Sequence, residues 1–222
     1  MLKPIKTILA IEAAIRGGSV SLLEDNKEVF SFGGVTDVSR AEDLLVNIAA
    51  LFETAGIEKS QIDLIAVSNG PGSFTGIRIG LATALGLKDS LGIPCIGVSL
   101  LSAVAANFHG ADKVAVVMPV GKNDICWQIY KNNDGRTESV SLPIGSERIQ
   151  FLNFMSESPD LKILIQSDLY DILQFDSGQH HRAVRIDQNL AYIVGLGAQN
   201  SNLVSDTEPF YIHSSRSSLG VS

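Results

Sequence analysis

Apolar positions along the chain fall into short unbroken runs and longer periodic stripes. Ile8-Leu-Ala-Ile11, Ser19 to Leu23 and Glu28 to Phe32 predict three strands, separated by a Gly17-Gly18 turn and a Glu24-Asp25-Asn26-Lys27 hairpin loop. Strands joined by such short turns are antiparallel neighbours. Ala41, Leu44, Leu45, Ile48, Leu51, Phe52 and Ala55 then recur at spacings of three and four, which predicts an amphipathic helix over 40–55 that Gly56 ends. Leu64 to Val67 predicts a buried strand, broken by Asn69-Gly70-Pro71-Gly72. Ser73 is placed to cap a helix running from Phe74 to Ser90, and a strand over Pro94 to Val98 and a helix over Ser99 to Phe108 follow.

The helix from Phe74 is apolar on most faces. Phe74, Ile77, Leu81, Leu85 and Leu91 form one stripe, and Ile79 and Leu87 point elsewhere. Beside them runs a ridge of small residues, Gly72, Gly76, Gly80 and Ala84. A helix apolar all round is buried on both sides. Glycine inside a helix costs about 1 kcal/mol relative to alanine, so the ridge implies close backbone approach by a neighbour. The sequence predicts an element packed on a sheet on one side and on a partner on the other.

Composition narrows the picture. The chain has 222 residues, 45% hydrophobic and 18% charged, which fits a substantial core and argues against disorder. A net charge of −7 is the wrong sign for gripping nucleic acid unaided, although a basic partner could hold RNA. The two cysteines, Cys95 and Cys126, have neither metal-like nor redox-like spacing and are expected to be buried thiols. The N-terminal apolar run is too short for a signal core or a membrane span, so a cytoplasmic protein is expected.

Gly70-Pro-Gly-Ser-Phe-Thr-Gly-Ile-Arg-Ile-Gly-Leu-Ala-Thr-Ala-Leu-Gly-Leu87, followed by Leu91-Gly-Ile-Pro-Cys-Ile-Gly-Val-Ser99, resembles the TsaB (YeaZ-type) family. The resemblance extends more loosely over residues 7–108 and faintly beyond. It implies a non-catalytic subunit that binds TsaD through first-lobe helices in a four-helix bundle. TsaD there carries the site that threonylcarbamoylates the adenosine beside the tRNA anticodon.

The element order β-β-β-α-β-α-β agrees with this, since after the meander each strand is reached by a helical crossover and later pairings are parallel. That is the ribonuclease-H-like unit, also the lobe of actin-like proteins. The order recurs more weakly: Val114 to Met118, Ile125 to Tyr130, Glu138 to Leu142 and Leu161 to Ile165 predict strands. A hairpin turn is expected at Asn132-Asn133-Asp134-Gly135, with helices over Ser146 to Met155 and Asn189 to Asn200. The expected fold is therefore α/β and two-lobed, with an actin-like lobe over 1–108 and a reduced copy over 109–222 that ends in a mobile serine-rich tail from Ser214 to Ser222.

Candidate chemistry is sparse. Nucleotide-binding relatives of this fold carry an acid and hydroxyls at the first hairpin, whereas this chain has Glu12-Ala13-Ala14-Ile15-Arg16, with Ser19 further on. Glu12 is expected at the lobe rim. Gly72, Ser73 and Arg78 are weak candidates for an anion site at a helix start, but the Lys-Ser/Thr ending of a P-loop is missing. After Met118 the chain reads Pro-Val-Gly121-Lys-Asn-Asp124-Ile125, without the family's Asp-Ala-Arg-like segment. His109, His180, His181 and His213 form no zinc spacing, no serine sits in a nucleophile elbow, and His180 and His181 are expected in a solvated turn. No catalytic residue, metal or cofactor is assigned.

The expected partner interface comprises Leu44, Ile48, Phe74, Ile77, Leu81 and Leu85, with Gly76 and Gly80 permitting close approach and some of the set facing the sheet instead. On this reading Ile77→Asp or Gly80→Arg abolishes pairing and leaves the protein soluble. A TsaE-like ATPase is a possible third component, self-association is expected of the chain alone, and neither direct nucleic-acid nor membrane binding is expected. The alternatives are a stand-alone actin-like-fold kinase or ATPase, and a homodimeric relative with no role in tRNA modification.

Overall fold

The three N-terminal runs form a meander, β1 (Thr7–Glu12), β2 (Ser19–Glu24) and β3 (Lys27–Gly33), in the computed structural model of the chain, which describes residues 5–33, 40–133, 136–175, 177–200 and 204–212. Asp25 and Asn26 turn the β2–β3 hairpin with φ of 45° and 69°, the backbone that a two-residue hairpin loop requires. There follow α1 (Arg40–Ala55), β4 (Leu64–Gly70), α2 (Phe74–Leu91), β5 (Cys95–Ser99) and α3 (Leu100–Ala106). The second half runs β6 (Lys113–Pro119), β7 (Asp124–Asn133), β8 (Arg136–Ser139), β9 (Ile144–Glu147), α4 (Arg148–Glu157), β10 (Lys162–Gln166), α5 (Ser167–Ile172), α6 (Ser177–His180), β11 (Ala183–Ile186), α7 (Leu190–Gly197) and β12 (Val204–Ser205).

Two mixed sheets result. The first has the order β12-β5-β4-β1-β2-β3 and the second β11-β10-β6-β7-β8, with β9 also on β7. In each, a three-strand antiparallel meander continues into two parallel strands through its first member: β1 pairs β4 and β4 pairs β5, as β6 pairs β10 and β10 pairs β11. The two halves therefore share one topology, and the fold is a two-lobed actin-like one.

Three apolar clusters stack through the molecule. Leu9, Ile11, Ile65 and Val67 on the outer face of the first sheet pack against Leu44, Ile48 and Leu51 of α1 and Ile77 and Leu81 of α2. Val117, Ile125, Trp127 and Ile163 on the outer face of the second pack against Phe151 and Met155 of α4 and Leu169 of α5. Between the sheets lies a cluster drawn from both, with Ile8, Ala10, Ala66 and Val98 on one side and Val114, Val116, Cys126 and Leu164 on the other. It is filled by α3 and α7. The layers thus read helix, sheet, helix, sheet, helix. A division between residues 108 and 109 leaves α7 and β12, which lie on the first sheet, in the second segment.

Local chemistry explains where elements differ from expectation. The helix expected from Ser146 starts at Arg148, because Glu147 and Gln150 form a capping box and Ile144–Glu147 pairs with β7 as a strand. β8 stops at Ser139, and the chain leaves the ladder with Ser141 Oγ accepting the Ile129 N–H at 3.0 Å. The short elements α5, α6 and β11 carry too few periodic positions to be read from sequence. The Asn132–Gly135 turn, beyond Asn133, and the tail from His213 lie outside the described residues.

The glycine ridge of α2 has an internal cause. Ser73 caps the helix, its Oγ accepting the Gly76 N–H at 3.3 Å, and Gly92, with φ of 67°, ends it. A side chain at Gly76 would run into the Ala13 carbonyl, and one at Gly80 would lie 3.2 Å from the Ala13 methyl. The ridge seats the β1–β2 hairpin. Gly86 differs, with nothing within 4 Å of a Cβ placed there. Gly76→Ala is accordingly expected to lower stability by about 1–3 kcal/mol through overpacking, despite its gain in helix propensity. Gly86→Ala should instead raise it by about 1 kcal/mol. Urea unfolding of the two variants checks the opposite signs.

Candidate functional site

The predicted contact set divides by burial. Leu44, Ile48, Gly76, Ile77, Gly80 and Leu81 are all buried against the chain's own sheet and hairpin, and Leu85 is half-buried. Only Phe74 of that set is exposed, at 48%. Ile77→Asp and Gly80→Arg would therefore place a charge in the core and report on folding rather than on docking. The outward side of α1 carries residues that sequence periodicity counts with the core or leaves aside: Leu45 is 57% and Val46 66% exposed. Beside it, α2 presents Phe74, Thr75, Arg78 and Ala82 to solvent. The two helices pack on each other, so their outer sides are contiguous, with Leu45, Val46, Ala49, Phe74 and Ala82 exposed alongside the polar Glu53, Thr54, Thr75 and Arg78.

Arg78 does not face an anion-binding loop. Its guanidinium carbon lies 3.9 Å over the Phe74 ring, and its Nε–H donates to the Tyr211 hydroxyl at 3.2 Å. The Phe74 and Tyr211 rings are 4.7 Å apart. Tyr211 arrives on a strap: β12 pairs antiparallel with β5, and residues 206–212 then cross the ends of the first-sheet strands, where the Phe210 N–H donates to Asn69 O at 2.8 Å. Glycine is required under this strap, since a side chain at Gly97 would strike the Asp206 carbonyl and one at Gly70 would come within 2.6 Å of Phe210 O. Sequence reasoning missed Tyr211. Its one signal was the apolar triplet Phe210-Tyr211-Ile212 just before the polar tail.

The first hairpin is turned inward. Glu12 is 1% exposed, and its Oε1 accepts the Ile15 N–H at 2.8 Å, so it braces the turn and does not sit at the rim. The Ser73 N–H donates to Ala14 O at 2.7 Å and the Gly76 N–H to Ser73 Oγ. Two donors that an anion at Gly72 and Ser73 would need are thus engaged within the protein. A cleft of about 300 Å³ opens next to them, lined by Ala14, Ile15, Arg16, Ser73, Thr75 and Val120 among others, and among the described residues no carboxylate lines it. Among the described residues no group of three His, Cys, Asp or Glu side chains could hold a metal ion. His180 and His181 are exposed; the Tyr170 hydroxyl lies 3.3 Å from His180 Nδ1 at the outer side of the second sheet. No described helix is long and apolar enough to cross a membrane.

A two-lobed actin-like protein with an inward-turned hairpin and an outward apolar helix pair has the same fold as YeaZ from Pseudomonas aeruginosa. The TM-score is 0.67 at 21% identity, covering 93% of this chain and all of that one. The ethanolamine utilization protein EutJ from Carboxydothermus hydrogenoformans shares the fold more distantly, with a TM-score of 0.51 at 10% identity over 88% of this chain and 90% of that one. In sequence, the family described as TsaD: tRNA N6-adenosine threonylcarbamoyltransferase matches residues 22–170. The tRNA threonylcarbamoyladenosine biosynthesis protein TsaB of Escherichia coli K12 is 31% identical over 156 residues, 66% of this chain and 67% of that protein. TsaB of Buchnera aphidicola is 32% identical over 133 residues, 58% of this chain and 60% of that protein. The chain belongs to this family, among its TsaB (YeaZ-type) members. Its matches span about three fifths to two thirds of those relatives' length.

Glu12→Ala strips the buried Ile15 N–H of its acceptor and should cost about 1–3 kcal/mol in unfolding free energy, whereas Glu12→Gln, which keeps an acceptor oxygen, should recover most of it. Equal losses in both would show that the charge, not the turn, matters. Burial pushes the Cys95 thiol up to about 11, with Lys88 pulling weakly the other way, and the Cys126 thiol up to about 12. At pH 8 both are protonated, and since the thiolate is the nucleophile, a disulfide reagent should label neither rapidly until the chain is unfolded.

Proposed function

We propose that this chain is a non-catalytic subunit that docks a TsaD-like protein through the outer side of α1 and α2 and supports threonylcarbamoylation of the adenosine beside the tRNA anticodon. The observation that carries this is the pair Leu45 and Val46, large apolar side chains held outward on a helix whose other side is already filled by the sheet. Exposed apolar surface of this kind on a rigid helix pair marks a protein contact. On the same reading the chain alone would self-associate, since this face would then meet its own copy. The buried Glu12 and the alanines beside it speak against a stand-alone kinase or ATPase, because the one acid of the hairpin is engaged with its own backbone. The RNA falls to the partner, as the net charge of −7 suits a protein contact better than a phosphate backbone. A TsaE-like ATPase could join such a pair, and the cytoplasm is where it would act.

Size-exclusion chromatography with light scattering tests this, using the chain alone and mixed with the TsaD-like protein of the same organism. A one-to-one complex is expected, with tRNA threonylcarbamoylation by the mixture exceeding that by the partner alone. Leu45→Asp combined with Val46→Asp should keep the thermal midpoint, because both side chains are solvent-facing, and weaken the complex by about 100-fold or more. Undiminished affinity in that variant would remove α1 from the interface.

A further inference from the structure

The cluster of Phe74, Arg78 and Tyr211 has a property that its internal contacts leave unexplained. Arg78 is the only charged residue between Phe74 and Leu87, and it is exposed beside Phe74 and Thr75 on a surface that also carries Leu45, Val46 and Ala82. Its planar group is held on both sides by neutral partners: the Phe74 ring lies under it and the Tyr211 hydroxyl takes its Nε–H. Among the described residues no carboxylate forms an ion pair with it. Two terminal nitrogens of the guanidinium are therefore oriented but not neutralised, in a fork that matches a carboxylate. Tyr211 reaches this place from 133 positions along the chain, on a strap whose passage requires glycine at 70 and 97. The strap thus adds a Tyr to a Phe and an Arg at one end of α2. Tyr and Arg, packed so that few rotamers remain to be lost on binding, are the residue types that anchor protein interfaces.

We propose that Phe74, Arg78 and Tyr211 form the anchor of the partner-docking surface, with Arg78 taking a carboxylate from the facing helix of a TsaD-like partner. This rests on the reading that α1 and α2 dock such a partner. The strap is then part of the interface: it fixes the arginine in the orientation that a partner carboxylate meets, and it continues the apolar α1–α2 surface past the start of α2. Because the pair would sit at the rim of an apolar contact, its attraction is screened by salt, and it acts on the encounter rate as well as on affinity.

Titration calorimetry of the full chain against the TsaD-like protein at low and high salt tests this with four variants. Arg78→Glu should weaken binding by about 100-fold at low salt, and Arg78→Gln by about tenfold with loss of most of the salt dependence. Tyr211→Ala should weaken it by about tenfold and lower the thermal midpoint as well, because the ring also packs on the first-sheet cluster, whereas Tyr211→Phe, which keeps the ring and loses only the hydroxyl, should keep the midpoint and weaken binding by less. Wild-type affinity and salt dependence in both Arg78→Glu and Tyr211→Ala, while the paired Leu45 and Val46 substitutions still break the complex, would overturn the anchor and leave the docking surface standing. If the paired substitutions also bind as wild type, or the unaltered proteins do not associate, the docking surface fails and the anchor with it. A charge effect that persists unscreened at high salt would assign Arg78 a structural role and overturn the carboxylate contact.

Discussion

The arrangement depends on an exchange of helices between the two sheets. α3 follows the last parallel strand of the first sheet and packs on β6, β7 and β8 of the second, while α7 follows the last strand of the second and packs on β1, β2 and β4 of the first. The two helices also touch each other. Leu100, Leu101, Ala103 and Ala105 are fully buried as a result, and so are Ala191 and Val194. Neither sheet can cover its inner face with its own chain segment alone, so the halves share one core. Polar groups hold the exchange in register. The Tyr130 hydroxyl donates to Gln128 Oε1 at 2.7 Å and meets Ser102 Oγ of α3 at 3.1 Å, and the Ala191 N–H at the start of α7 donates to Ser19 Oγ at 3.1 Å. Buried groups of this sort destabilise when left without partners, so they select one seating of each helix over its neighbours.

With the inner faces occupied in this way, the outer faces do different work. On the second sheet, α4 and α5 close over Trp127, whose indole N–H donates to Ser146 Oγ at 3.3 Å. On the first, α1 and α2 cover the sheet; both helix pairs keep large apolar side chains outward, Leu45, Val46 and Phe74 here and Ile149 and Ile172 on α4 and α5, but only α2 is seated on a hairpin through a glycine ridge. The hairpin that in nucleotide-binding relatives would carry hydroxyls presents Ala13 and Ala14, each 2% exposed, to the glycine ridge. Small residues on both sides bring the two backbones into contact, and the Ser73 N–H is spent on the Ala14 carbonyl. The cleft beside the turn and the helix start therefore offers a phosphate neither the Ser73 N–H, held by the Ala14 carbonyl, nor the Gly76 N–H, held by Ser73 Oγ. The same substitutions that remove the ligand chemistry supply the rigidity with which α2 is held against the sheet.

Much of this was legible in the residues because one physical signal dominates each element. Apolar and β-branched runs gave β1 to β8 and β10 to within a few residues, while the short β9, β11 and β12 were not read, and Ser73, Ser99 and Asn189 marked helix starts through their side-chain oxygens. The orientation of the outer helices was not legible. Leu44 and Leu45 are adjacent and chemically alike, yet one is 4% and the other 57% exposed. When a helix is apolar on two sides, hydropathy has no period from which to choose the sheet side. Only the register of Ile48, Leu51 and Ile77 on Leu9, Val67 and their neighbours decides it. The glycine ridge likewise announced close approach without saying to what. Glu12 looked like a rim acid because its partner, a backbone N–H three residues on, leaves no trace in side-chain chemistry.

The strap was hidden for a related reason. Its hold on the first sheet is made by backbone atoms: two ladder pairs between β12 and β5, the Phe210 N–H on Asn69 O, and carbonyls of Asp206 and Phe210 lying over Gly97 and Gly70. Contacts of that kind put no constraint on the strap's own side chains and a strict one on the residues beneath, so the sequence signature of the strap sits more than a hundred positions away from it, as glycines within strands. Gly97 in particular interrupts a strand where a β-branched residue would otherwise be favoured. Tyr211 is then the strap side chain that meets α2, and it does so at the single charged position between Phe74 and Leu87. The feature that carries the chain's end across the sheet is thus also the one that orients the guanidinium facing outward.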